Sequence, residues 1–144
     1  AQGVSFSVLL GSELDDNFWQ QFYQFYAATY AKRSGNAGYL TLQTFKLWGA
    51  ALAEQIVVFA AYNAGKMVAA SLCFFSDDTL YGRYWGATQF VSGLHFELCY
   101  YQGIEYCIEH GLAFFDAGAQ GVVVACRHGV RPRQWWRIGR RARG

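Results

Sequence analysis

The residues best suited to chemistry fall in the second half of the chain. Arg83, between Gly82 and Tyr84, is one of only two arginines before Arg127. A planar guanidinium among aromatic rings pairs with two oxygens of a carboxylate or phosphate at once, and an internal ion pair with Glu97 or Glu105 is its alternative use. Strand alternation sends Arg83 and Tyr81 to one face and Tyr84 to the other, which makes Tyr81 the expected companion of Arg83 in a substrate groove. His95 and Glu97 open a predicted helix, whose start favours a neutral imidazole and an ionised carboxylate. Such a pair can take a proton from an attacking amine. Helical spacing puts His95, Cys99 and Gln102 on one side, and Glu97, Tyr101 and Glu105 on another, so Tyr101 is a candidate substrate contact beside Glu97. Cys99 stands one turn after His95, where it is either a nucleophile with its base or a packed thiol. Gly118-Ala119-Gln120-Gly121 follows a strand and offers backbone N–H groups to an oxyanion, with Gln120 available to a substrate amide. A plain turn is the alternative.

Four cysteines, Cys73, Cys99, Cys107 and Cys126, form no CxxC pair. They read as buried free thiols and not as a disulfide framework. Cys107, His110, Cys126 and His128 have spacing too loose for a zinc site, so no metal is expected.

The elements that must position these groups are read from hydrophobic period. Val4 to Leu10 is a strand ended by Gly11. Asp15, Asp16 and Asn17 then supply a cap for a helix over Phe18 to Tyr30, where rings recur at three- and four-residue intervals. A loop at Ser34 to Gly38 leads to a second helix from Leu42 to Leu52. The period changes at Ile56, and three strands follow, Ile56–Tyr62, Met67–Phe75 and Thr79–Trp85, joined by short polar turns into an antiparallel meander. From Leu94 the helical period resumes through Ile108, closed by His110-Gly111, and Leu112 to Phe115 is a short strand. The predicted fold class is therefore α/β, with a central, mostly antiparallel sheet flanked by helices.

Charge is divided along the chain. Five basic residues face ten acidic ones through Cys126, whereas Arg127 to Gly144 carries seven arginines and no acid. That tail, with Trp135 and Trp136, is expected to bind polyanions weakly and without sequence preference. No apolar run is long enough to cross a bilayer and residues 1–10 do not resemble a signal peptide, so a cytoplasmic protein with no membrane span is expected. Aromatic residues make up 19% of the chain, more than one small core readily hides, which points to a subunit interface such as a dimer's, a partner domain or an aromatic-lined groove.

Three segments carry a resemblance. LYGRYWGA at Leu80 to Ala87, LHFELCYYQGIEYCIEHGL at Leu94 to Leu112 and FDAGAQG at Phe115 to Gly121 resemble blocks of the FemAB-like peptidoglycan biosynthesis or recognition proteins, within the GNAT-like acyltransferase superfamily. The likeness runs from about Phe6 to Gly121. After Gly121 a Glu-His-Lys stretch of the family is replaced by Val122-Val123-Val124, so residues 1–121 are expected to be a GNAT-like domain and 122–144 a divergent Arg/Trp-rich tail, of the kind a frame shift, a non-native end or natural divergence produces. The resemblance implies the second half of a tandem protein, lacking an N-terminal GNAT-like domain or replacing it by homo-oligomerisation. It also implies acyl or aminoacyl transfer to an amine of a peptidoglycan precursor or peptide-like substrate. The alternative is a binding module for such ligands without turnover. Aminoacyl-tRNA and acyl-coenzyme A are the donors such relatives use. The loop Gly86 to Gly93 lacks the Arg/Gln-x-x-Gly-x-Gly/Ala pattern that grips a pyrophosphate, which argues against coenzyme A.

Overall fold

The computed structural model describes residues 3–35, 38–88, 93–118 and 123–126. Strand β1 (Val4–Leu10) leads through a short 3-10 turn to helix α1 (Asp16–Ser34) and helix α2 (Leu42–Ala51). Asp15 is the cap that starts α1, its Oδ1 accepting from the Phe18 N–H at 2.8 Å, and Gly35 ends the helix in the left-handed region. Thr41 caps α2 in the same way, accepting from the Thr44 N–H at 3.2 Å. Helix α1 continues past Tyr30, where the ring pattern stops, because Ala27, Ala28, Ala31 and Lys32 are strong or neutral helix formers with nothing to break them before Gly35.

Strands β2 (Ile56–Asn63), β3 (Lys66–Phe75) and β4 (Thr79–Ala87) form the expected antiparallel meander. A helical stretch follows in three pieces: α3 (Leu94–Phe96), a π-helical turn over Glu97–Tyr101, and α4 (Gln102–Glu109). Strand β5 (Phe114–Asp116) then pairs in parallel with β4, and β6 (Val123–Ala125) pairs antiparallel with β5. The sheet order is β1-β2-β3-β4-β5-β6.

The sheet does not end at Gly121. Val124 lies opposite Phe115 with only 9% of its surface exposed, and the Cys126 N–H donates to the Ala113 carbonyl at 2.7 Å. Hydrophobic patterning over three residues gave no separate signal for β6, since a strand this short is specified by its partner. Residues 127–144, on which polyanion binding was expected, lie outside the described residues.

Helices cover both faces of the sheet. Leu94, Leu98, Ile104 and Cys107 pack against Val57, Phe59, Cys73, Leu80 and Phe115. On the other face Phe18, Trp19, Phe22, Phe25, Tyr26 and Phe45 pack against Ile56, Val58, Ala60, Ala70 and Leu72. Strands β2 and β3 are buried on both sides, and this is why their sequences run apolar instead of alternating. Phe45 absorbs many of the chain's rings: Phe22, Tyr26, Trp48 and Tyr84 all meet it edge-on, at centroid distances from 5.2 to 5.9 Å. Among the described residues no helix is long and apolar enough to cross a membrane.

Helix α1 lies directly on β4. A Cβ on the buried Gly86 would stand 2.3 Å from the Phe25 carbonyl carbon and 2.4 Å from its oxygen, both backbone atoms that cannot swing aside. The Ala87 N–H donates to Thr29 Oγ1 at 3.1 Å and fixes the helix along the strand. Gly86→Ala should therefore cost about 3 kcal/mol and lower Tm by roughly 10 °C for a domain of this size. Thermal melts followed by circular dichroism check this, with Gly82→Ala as the control. There the new Cβ meets nothing closer than 3.6 Å, and Tm should hardly move.

Candidate functional site at the β4–β5 notch

Strands β4 and β5 run together for only three residue pairs, Thr79 with Phe114, Leu80 with Phe115 and Tyr81 with Asp116. Beyond Asp116 strand β5 has ended, while β4 continues to Ala87. Among the described residues this leaves the edge of β4 beyond Asp116 without a strand partner, a notch in the sheet at which Arg83 stands.

The register of β3 and β4 slips by one residue at this place: Leu72 pairs with Tyr84 but Cys73 pairs with Gly82. Arg83 is the extra residue of a β-bulge. The slip corrects the expected alternation. Tyr81 pairs with Phe74 and Tyr84 with Leu72, and both partners pack toward α1 and α2, so Tyr81 and Tyr84 share a face. Tyr81 is still the companion of Arg83, whose guanidinium carbon sits 4.9 Å from the Tyr81 ring centroid.

The carboxylate that faces Arg83 is Asp116, in place of the expected Glu97 or Glu105. Nη2 lies 3.6 Å from Asp116 Oδ2, and Nη1 donates to the Gly82 carbonyl at 2.9 Å. Asp116 is held from its other oxygen, Oδ1, by the Gly118 N–H at 2.8 Å. Only glycine fits position 118, where φ is +85° and a Cβ would lie 2.6 Å from the Gly82 carbonyl oxygen. The Arg83 and Asp116 side chains keep 36% and 27% of their surfaces exposed, so a ligand can reach both. Such a pair adds little to stability. It does orient a guanidinium whose remaining N–H groups are open to an incoming anion.

Sequence reasoning ended the short strand at Phe115 and gave Asp116 no role. The signal was present: it is the sole acid of its strand and stands two residues before a glycine, the spacing of a turn closed by an aspartate side chain.

The other expected site residues lie in the helical layer. The half-buried His95 ring stands edge-on to Trp85 at 4.8 Å and to Phe96 at 5.6 Å. Glu97 is only 8% exposed and accepts from Gln102 Nε2 at 2.8 Å. This contact corrects the expected grouping of Gln102 with His95. A π turn brings residues five apart side by side, so Gln102 joins Glu97. Tyr101, 3% exposed, is part of the core with Leu98 and Ile104. Gln120 lies outside the described residues.

Burial pushes the thiols of Cys73, to about 12, and Cys99 well above the ordinary cysteine range, which leaves Cys99 a protonated packing group and not a ready nucleophile. The thiols of Cys107 on α4 and Cys126 beyond β6 interact with each other, and the Cys107 thiol is raised by that contact and by burial. His110 stacks on Tyr106 at 3.9 Å. Among the described residues no group of three or more His, Cys, Asp or Glu could hold a metal ion.

The FemAB-like family model, described as peptidoglycan biosynthesis/recognition, matches residues 1–140. This chain belongs to that family. The match passes Gly121 and takes in β6, so the expected break in resemblance at Gly121 does not hold. Solved acetyltransferases share the fold, an α/β arrangement with a mixed, mostly antiparallel sheet flanked by helices. The chain is similar to an aminoglycoside acetyltransferase from an uncultured soil metagenomic sample, solved with sisomicin (TM-score 0.56, 15% identity, 82% of this chain and 80% of that one). It is also similar to the ribosomal-protein-S18-alanine N-acetyltransferase of Escherichia coli (TM-score 0.53, 17% identity, 77% and 64%). A third likeness is to an N-acetyltransferase from Staphylococcus aureus Mu50 (TM-score 0.53, 13% identity, 78% and 68%). No curated protein sequence matches the chain.

Behind the notch, burial and the neighbouring Tyr39 hydroxyl push the Tyr84 phenol up to about 12. A phenol whose folded pKa lies above its unfolded value of 10 stabilises the fold fully below pH 10, and loses that contribution as pH rises toward 12. Tyr84→Phe should therefore flatten the loss of stability between those two values, read from urea midpoints collected across alkaline pH.

Proposed function

We propose that this chain transfers an acyl or aminoacyl group to an amine of a peptide-like acceptor bound at the β4–β5 notch, in the manner of peptidoglycan-precursor modification. The observation that carries the reading is the half-exposed Arg83, lifted out of its strand by the bulge and steadied by Asp116, Gly82 and Tyr81. A fork of fixed donors in an open notch suits a substrate carboxylate, or the oxyanion that develops when an acyl carbonyl is attacked. The amine lone pair forms the new C–N bond, the ester bond of the donor breaks, the leaving oxygen takes a proton, and the nitrogen gives one up. His95 and Glu97 are the proposed proton acceptors. His95 packs on Trp85, two residues beyond Arg83 on the same strand and so roughly 7 Å along it. Tyr101 acts through packing in this reading, and Gln120 is the proposed contact to a substrate amide.

The donor we favour is an aminoacyl ester such as aminoacyl-tRNA, because the β4–α3 loop lacks the sequence pattern of a pyrophosphate grip. The second wall of the site would come from a neighbouring GNAT-like domain or a second copy, as in a cytoplasmic dimer. Phe114 and Val123, 41% and 58% exposed on β5 and β6, give such a wall apolar area to cover.

The test is to incubate the purified chain with aminoacyl-tRNA and a nucleotide-linked muropeptide and to weigh the products, with acetyl-coenzyme A as the contrasting donor. A product that gains one aminoacyl residue is expected, with kcat/KM falling about 100-fold in Arg83→Ala as one charge-assisted transition-state contact is lost. Muropeptide binding that depends on Arg83 but gives no product with either donor identifies a binding module instead.

A further inference from the structure

Helix α1 divides its face of the sheet in two. The notch and the tyrosine cluster lie on one flank, and on the other an open groove of about 650 Å³ runs between α1 and the β2–β3 hairpin. One wall is a row of primary amides, Asn17, Gln21 and Gln24, at positions i, i+4 and i+7 of α1, all on one stripe of the helix. None of the three side chains has a hydrogen-bond partner among the described residues. The floor is apolar, made by Phe18 and Phe25 from the helix and by Tyr62 and Met67 from the hairpin.

We propose that this groove binds a short extended peptide segment, separately from the notch. A primary amide donates and accepts at once, which matches main-chain N–H and C=O groups and does not select for charge. Asn17 and Gln21 are about 6 Å apart along the helix axis, close to the dipeptide repeat of roughly 6.7 Å at which an extended chain presents its amides to one side. The three amides span about 10 Å, enough for three or four residues. Side chains on the alternate face of the peptide would meet the apolar floor. A phosphorylated ligand is disfavoured, because Lys66 is the only cation among the lining residues and Asp15 shares the groove. The groove is also cut off from the notch, since Phe25 rests on Gly86 and Thr29 takes the Ala87 N–H between them.

The experiment is a nuclear magnetic resonance titration of the full chain with the neutral probe N-acetyl-tetraalanine amide, following the side-chain NH2 signals of Asn17, Gln21 and Gln24 and the Met67 methyl. Saturable shifts at roughly millimolar probe are expected. A Gln21→Ala, Gln24→Ala double variant, which exchanges the half-buried Gln21 and the exposed Gln24 for a better helix former, should weaken binding about tenfold, and Arg83→Ala should leave it unchanged. The proposal is overturned by absence of saturable shifts, or by shifts that survive the double variant. Loss of binding in Arg83→Ala, or groove shifts produced by trehalose or adenosine monophosphate but not by the peptide, overturn it as well. The groove reading can fail while acyl transfer at the notch stands, because transfer is read from product mass.

Discussion

The contact between the backbone of α1 and the backbone of β4 at Gly86 governs the α1–α2 face of the sheet. Had any side chain stood at position 86, the helix would ride higher, and Phe22 and Tyr26 would no longer reach Phe45. With the helix seated, Phe45 is fully buried, and the rings around it meet edge to face, the arrangement that aromatic quadrupoles favour. The seat also determines which parts of the face stay open. Helix α2 and Tyr84 close in on one flank, and on the other the end of the β2–β3 hairpin, from Tyr62 to Met67, lines an open groove. Close packing in the middle thus creates two separate concave regions at its margins.

The notch depends on a different constraint, the brevity of the parallel ladder. A longer β5 would satisfy the edge of β4 through Arg83 and leave no opening. Here the chain turns away at Asp116, and the turn is closed by the Asp116 side chain on the Gly118 N–H. One carboxylate therefore ends the strand and holds the guanidinium. The bulge completes the arrangement: by adding a residue to β4 it returns Tyr84 to the aromatic layer while Arg83 stays outside. Without the slip, Tyr84 would leave the ring cluster and the wall behind the notch would lose its stack on Trp48.

The elements were largely legible in the sequence because their signals are local. A four-residue ring spacing in Phe18, Phe22 and Tyr26, the Asp15 cap, and apolar runs broken at Asn63-Ala64-Gly65 and Ser76-Asp77-Asp78 each act within one turn or one hairpin. The Arg83–Tyr81 pairing was legible for a similar reason, as a long guanidinium side chain reaches a ring two residues away even where a bulge interrupts the alternation. What escaped depended on register or on distant partners. Nothing in LYGRYWGA marks which residue is extra, since the bulge is set by the pairing with β3. The π turn is likewise silent in a sequence that reads as helix throughout, yet it decides that Glu97 meets Gln102. Strand β6 exists through its pairing with β5.

The charge boundary and the fold boundary are consequently different things. Net charge turns sharply positive only at Arg127, whereas the replacement of the family's Glu-His-Lys stretch after Gly121 placed the end of the fold too early. Charge reports how a segment meets solvent and ions, and it carries no information on whether the residues before it are paired. Val124 and Cys126 obey the second criterion: one is packed opposite Phe115, and the other donates its N–H to Ala113 and meets the Cys107 thiol. This pairing covers Phe115, against which Gly82 also packs. The last described strand thus supports the floor beneath the bulge, and the geometry around Arg83 rests in part on residues that a boundary at Gly121 assigns to the tail.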